Sequence, residues 1–189
     1  MIINWRLFYM IYLYKNKKER AFTLIEILVS ISILVFILLS LSSILRSISV
    51  NQKELSADSL TLNNVDYFLR IASDNLRQAQ KSDGSLCGIA ENKFFNTGDA
   101  YIDFIKDGEC YSFELFDDGG VNRVVMYAGS KGNNYISSRN IDIASLFFEV
   151  EDYIEYGQPI VTIFIKAAPV NGLSNYISDQ TSVSVGYYE

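Results

Sequence analysis

A single carboxylate, that of Glu26, interrupts an otherwise apolar stretch near the start of this 189-residue chain. The apolar run opens at Phe22, and it contains no charged residue between Ile27 and Leu45. A carboxylate inside such a segment costs about 3 kcal/mol when the segment enters a lipid bilayer, so it usually has a partner or a function. We therefore expect Glu26 to take part in a specific interaction.

The composition offers little support for catalysis. The chain has no histidine, which is the commonest general base and metal ligand. It also lacks the glycine-rich phosphate-binding motifs and the signature motifs of serine hydrolases and zinc proteases. We therefore expect a non-enzymatic protein with no catalytic residue, no cofactor and no metal.

The stretch from Phe22 to Leu45 predicts a transmembrane helix, because about 20 apolar residues are enough to span a bilayer. Only Arg46 follows it directly, whereas four basic residues come just before it: Lys15, Lys17, Lys18 and Arg20. Since basic residues flanking a membrane helix stay on the cytoplasmic side, we expect the N-terminus inside and the remainder of the chain exported.

The segment KKERAFTLIEILVSISIL resembles the N-terminus of a type IV prepilin or type II secretion pseudopilin. In that family a membrane peptidase cleaves before the phenylalanine and methylates the new amine. The resemblance implies cleavage between Ala21 and Phe22, N-methylation of Phe22, and a role for Glu26 as the carboxylate that meets the Phe22 amine of a neighbouring subunit during assembly. Ala21 stands where the family usually has glycine.

The resemblance also implies partners and a location. The partners are the prepilin peptidase, other pilins or pseudopilins through the N-terminal helix, the inner-membrane assembly platform and membrane lipid. The chain would be a single-pass protein of a bacterial cytoplasmic membrane, with its head in the periplasm or outside, assembled in a pilus or pseudopilus. Without residues 1–21 the net charge is −10, which disfavours direct binding to nucleic acid.

Two alternatives remain open for the N-terminal region. The leader starts either at Met1 or at Met10, and it ends at Ala21 in both cases. The apolar segment could instead be a plain signal anchor, which would make the chain an envelope protein with an outward-facing binding or enzymatic domain. A mature chain that begins with methylated Phe22 would support a pilin, whereas an intact leader would support a signal-anchored envelope protein.

Two cysteines, Cys87 and Cys110, lie in the part expected to be exported, where a disulfide can persist. A bond between them would stabilise the folded chain by about 3 kcal/mol in the chain-entropy model, because it closes a loop in the unfolded chain. Two unpaired, buried thiols are the alternative, because sequence separation does not show whether the Cβ atoms meet.

The pattern after the membrane segment predicts an α+β fold, which the resemblance implies is of the pilin type. We expect a leader at 1–21, one helix at 22–80 with 22–45 in the membrane, and a head at 81–189. Spacings of four and three predict one packed face on the second half of the helix: Val65, Leu69, Ala72, Leu76 and Ala79. The mainly antiparallel sheet of the head would cover that face.

The head shows signals for six or seven strands. Asp107-Gly108 predicts a hairpin turn between two β-rich runs, and a second turn at 117–120 leads into VNRVVMYAG. Three later runs follow: IDIASLFFEVEDYI, IVTIFIKAAPV and TSVSVGYY. The alternating residues Ile160, Thr162 and Phe164, like Ile141 and Ile143, fit a sheet with one buried face.

Two later stretches are similar to one branch of the family. The run YFLRIASDNLRQAQ resembles the stem of J-type minor pseudopilins and PilW-like minor pilins, and the closing strands resemble theirs, although Gly186-Tyr187-Tyr188 stands where that branch often ends on Arg-Asn. This resemblance implies a scarce subunit at the fibre tip that primes assembly. A major pilin with a large head is the alternative. The sequence does not distinguish between roles in secretion, in pili and in DNA uptake.

Two sets of head residues allow a functional and a structural interpretation. Asp117, Asp118 and Asn122 flank two glycines and offer oxygen atoms to calcium, as in some pseudopilins, but a hairpin turn accounts for the same residues. Four aromatic residues suit either a contact surface for a partner pilin or alternate faces of a sheet: Phe147, Phe148, Tyr153 and Tyr156.

Overall fold

The computed structural model describes residues 22–151, 158–170, 172 and 175–186. Ala21, both candidate start residues, and the aromatic residues Tyr153 and Tyr156 lie outside the described residues, as do Tyr187 and Tyr188. The chain divides into two compact units, Met1–Ser49 and Val50–Glu189.

One helix, α1 (Leu24–Leu76), contains 53 residues. The described part of the first unit consists of Phe22, Thr23 and the beginning of this helix, and all its side chains are exposed. By length and composition α1 is able to cross a membrane.

The end of α1 differs from the sequence expectation. The helix stops at Leu76 rather than at Gln80, and the next turn tightens, with the Ala79 amide donating to the Leu76 carbonyl (3.2 Å). The Gln80 amide then donates to the carbonyl of Ile105 at 2.7 Å. The chain leaves the helix early because these last amides find acceptors outside the i to i−4 pattern.

Within the described ranges eight strands form two antiparallel sheets, where six or seven strands were expected. The first sheet has the order β1-β2-β3-β4-β5, with β1 (Phe95–Gly98), β2 (Tyr101–Lys106), β3 (Glu109–Asp117), β4 (Asn122–Ala128) and β5 (Asn133–Tyr135). The second has the order β6-β7-β8, with β6 (Ile141–Glu151), β7 (Ile160–Pro169) and β8 (Ile177–Ser184).

Helix α1 packs on the strands within the second unit, which confirms the predicted α+β arrangement. Phe68 of α1 meets Phe113 of β3 edge-on, with the ring centroids 5.9 Å apart. All five positions predicted from spacing are buried, four of them on α1 and Ala79 in the turn just after it: Val65, Leu69, Ala72, Leu76 and Ala79. Phe68 and Thr61 are also buried on the helix, and neither was predicted.

The buried face of β7 is the opposite of the expected one. Val161, Ile163 and Ile165 are buried, whereas the predicted set around Thr162 and Phe164 is only partly covered. Successive side chains of a strand point to opposite faces, so the choice of face cannot be read from a strand that is apolar on both. On β6, Ile141 and Ile143 are buried as expected.

Candidate functional site

The helix begins with three reciprocal hydrogen bonds between Thr23 and Glu26. The Thr23 backbone amide and the Thr23 hydroxyl each donate to Oε2 of Glu26 at 3.1 Å. In return, the Glu26 amide donates to the Thr23 hydroxyl oxygen at 3.4 Å. Thr-x-x-Glu is the sequence signature of this capping box, which was not predicted because Glu26 was considered only as a charge in a membrane helix and as a partner for an amine.

The capping box leaves Glu26 able to accept further hydrogen bonds. Both bonds from Thr23 converge on Oε2, and a carboxylate offers about four acceptor sites on its two oxygens. Phe22, directly before the cap, is 76% exposed. The described residues therefore place a carboxylate with spare acceptor capacity about one helical turn from Phe22.

The serines of the apolar segment are satisfied within the helix. Ser30 donates its hydroxyl hydrogen to the Glu26 carbonyl at 2.7 Å, and Ser32, Ser40 and Ser42 each donate to the carbonyl four residues earlier. Such bonds hide hydroxyl groups from an apolar surrounding. The segment can therefore face lipid or other apolar helices without unpaired serine hydroxyls.

The carboxylates of Asp117 and Asp118, two of the three proposed calcium ligands, accept hydrogen bonds from the protein. Oδ1 of Asp117 accepts a hydrogen bond from the Gly120 backbone amide at 2.6 Å, and the backbone amide of Asn122 donates to Oδ1 of Asp142 at 2.8 Å. Asp118 forms salt bridges with Arg123 and Arg139. Among the described residues no cluster of three or more metal-ligating side chains occurs. The geometry favours the turn interpretation.

Asp118 is the centre of an arginine cluster that the sequence did not indicate. Its Oδ2 accepts from Nη1 of Arg123 at 2.8 Å and from Nε of Arg139 at 3.0 Å. Arg123 is buried and donates to the Ser137 carbonyl through Nε and Nη2, and its Cζ lies 3.9 Å from the centre of the Tyr135 ring. The bonds from Arg123 and Arg139 lower the pKa of Asp118, and the same contact raises the pKa of Arg139.

A disulfide joins Cys87, in the loop before β1, to Cys110 of β3. Their Cα atoms are 5.6 Å apart, within the usual range for a bridge. Both residues are half-buried.

The two described aromatic residues of the predicted contact set lie on opposite faces of β6. Phe148 is buried, whereas Phe147 is 51% exposed and its ring lies 6.2 Å from that of Phe164. This is the alternation expected of a strand with one covered face.

Comparison with known protein families adds one match. The family model described as the prokaryotic N-terminal methylation motif matches residues 16–42. The match indicates a type IV pilin-like or pseudopilin protein, as the resemblance predicted, and with the apolar helix it indicates membrane anchoring. Proteins with this motif are generally structural and are processed by a prepilin peptidase. The chain matches no curated protein and no solved structure.

Proposed function

We propose that the chain is a minor, non-enzymatic subunit of a type II secretion pseudopilus or a type IV pilus, placed at or near the fibre tip, where it primes assembly. One observation carries the pilin part of this proposal. The methylation motif matched at residues 16–42 coincides with a helix apolar enough to span a membrane and with Glu26 in its first turn.

Processing follows from the charge order around the motif. The basic cluster at 15–20 keeps the bond between Ala21 and Phe22 at the cytoplasmic face, where a membrane peptidase reaches it. Cleavage produces a new amine on Phe22, which is then methylated. Glu26 of one subunit then binds that amine of its neighbour.

The minor-subunit assignment rests on the stem and the closing strands. The stem run YFLRIASDNLRQAQ and the order of β6, β7 and β8 support a J-type or PilW-like subunit. The partners are then other minor subunits and the inner-membrane assembly platform. Such a subunit acts by packing and positioning, without a cofactor.

Mass spectrometry of the membrane fraction tests the proposal. We expect a mature chain that begins with N-methylated Phe22 in cells with the prepilin peptidase, and a chain that keeps its leader in peptidase-deficient cells. Mostly uncleaved protein in peptidase-competent cells would reject the pilin proposal and favour a signal-anchored envelope protein.

A further inference from the structure

The loop of residues 81–94, which we call the linker loop, joins the end of α1 to β1 and is closed by its own hydrogen bonds. Ser82 is buried, donates its amide hydrogen to the Lys93 carbonyl at 2.8 Å, and accepts from the Asn92 amide at 2.9 Å. Its hydroxyl donates to the Ile89 carbonyl at 3.0 Å. Hydrogen bonds of one residue, Ser82, therefore hold the two ends of the linker loop together.

The same corner of the fold holds the end of the helix. The Gln80 amide donates to the Ile105 carbonyl at 2.7 Å, and the Gly108 amide donates to Oε1 of Gln80 at 3.1 Å. Ile105 is paired across the hairpin with Cys110, the residue that carries the disulfide to Cys87. The disulfide thus links the middle of the linker loop to the β2–β3 hairpin, which also forms the hydrogen bonds to Gln80.

The backbone at Cys87 is unusual for a residue with a side chain. Its φ is 57°, and Gly88 follows with a φ of 63°. Left-handed conformations are uncommon for residues other than glycine, asparagine and aspartate, and they persist where surrounding structure holds them. Ile89, which comes next, is 1% exposed. The bond at Cys87 therefore holds a disfavoured turn that directs Ile89 into the protein.

We propose that the Cys87–Cys110 disulfide is an oxidation-dependent latch of the linker loop. In the reduced chain, α1 and both sheets form, but the linker loop opens and Ile89 leaves its buried position. On oxidation the two thiols lose two electrons and two protons as the S–S bond forms, and a disulfide-bearing exchange partner is reduced to its dithiol. The inference does not depend on the pilin assignment.

Hydrogen exchange on the detergent-solubilised full chain tests the latch. After reduction and alkylation, we expect the Ser82 and Asn92 amides to exchange about tenfold faster or more, with the amides of 65–76 in α1 unchanged. The double variant Cys87→Ser with Cys110→Ser should behave in the same way. No change at Ser82 and Asn92, or an equal acceleration through α1 and the sheets, would overturn the latch.

A second pair of variants isolates the backbone at position 87. Glycine adopts the left-handed conformation without cost to a side chain, so Cys87→Gly with Cys110→Ser should protect the Ser82 and Asn92 amides better than Cys87→Ser with Cys110→Ser. Equal exchange in the two double variants would overturn the role given to the Cys87 backbone.

Discussion

Thr23 holds the carboxylate of Glu26 within one chain, with the backbone amide and the hydroxyl of Thr23 both 3.1 Å from Oε2. Glu26 therefore stabilises the start of its own helix before any partner arrives. An amine from a neighbouring chain would add to these bonds through the remaining acceptor sites rather than replace them. Thr23 thus orients the carboxylate that we assign to assembly.

Replacing Glu26 with glutamine separates insertion from assembly. We expect Glu26→Gln to insert at least as well as the wild type, because an uncharged side chain costs less in lipid. Without the negative charge, the Phe22 amine of a neighbour loses its partner, and we expect crosslinked subunit pairs to fall by about tenfold or more. Site-specific crosslinking in membranes and quantification of sheared fibres provide the measurement.

Thr23→Val is the matched control, because it removes the capping hydroxyl and leaves the carboxylate. We expect Thr23→Val to reduce crosslinking much less than Glu26→Gln does, with a small loss of helix content at the N-terminus, since a cap is worth about 1 kcal/mol. If Glu26→Gln left crosslinking and fibre output at wild-type levels, Glu26 would have no assembly role.

Phe68 is the helix residue whose loss should most weaken packing in the second unit. It is 1% exposed and meets Phe113, which is fully buried, edge-on. We expect Phe68→Ala to lower the free energy of unfolding by about 3–5 kcal/mol through lost burial and a cavity. Phe147→Ala, at a position that is 51% exposed, should change it by about 0.5 kcal/mol or less. Urea unfolding of both variants gives the comparison, and equal effects would contradict this packing.

The arginine cluster gives the head a pH-dependent contribution to stability. Asp118 has a lowered pKa in the folded state because Arg123 and Arg139 donate to its ionised form. Its contribution is therefore complete above the ordinary aspartate pKa of 3.8 and is lost as the pH falls through the lower folded value. We expect Asp118→Asn to lower the urea midpoint at neutral pH, and the difference from wild type to close in strong acid.

Asp99→Asn, in the exposed turn between β1 and β2, is the matched control for this titration. It should leave both the urea midpoint and its pH dependence close to those of the wild type. A midpoint difference for Asp118→Asn that stays constant from neutral pH to strong acid would show that the lost contacts, rather than ionisation, account for the effect.

Periodic patterns in the sequence were sufficient for the main elements. The spacing from Val65 to Leu76 identified the packed face of α1, and the Asp107-Gly108 turn located the β2–β3 hairpin. The weak elements were missed. The segments at 95–98 and 133–135 form β1 and β5, but they are short and partly polar, so their strand character comes from pairing with β2 and β4.

The contacts that shape the candidate sites come from tertiary structure. Arg123 looked like an ordinary polar position of a strand, yet it is buried because Asp118, Ser137 and Tyr135 surround it. Similarly, the pairing of Cys87 with Cys110 depends on how the linker loop folds onto β3, which no spacing rule specifies. The capping box, in contrast, was readable from Thr23 and Glu26 alone.

The tip assignment predicts a low copy number and a requirement at the start of assembly. A repeating pilin must pack identically along the fibre, whereas a single fibre has only one tip. We expect this chain to be much scarcer than the most abundant pilin in sheared fibres, by about tenfold or more on that symmetry argument. Quantitative mass spectrometry of the fibres measures the ratio.

Deleting the gene should then abolish fibre initiation rather than shorten the fibres, because a priming subunit acts once, before the repeating subunits add. Expression of the wild-type chain should restore initiation, while Glu26→Gln, which keeps the head but loses the amine partner, should not. Intact initiation in the deletion strain, or this chain as the most abundant pilin in sheared fibres, would remove the tip assignment. The methylation motif at residues 16–42 would still support a pilin-like protein in that case, since its evidence is independent of copy number.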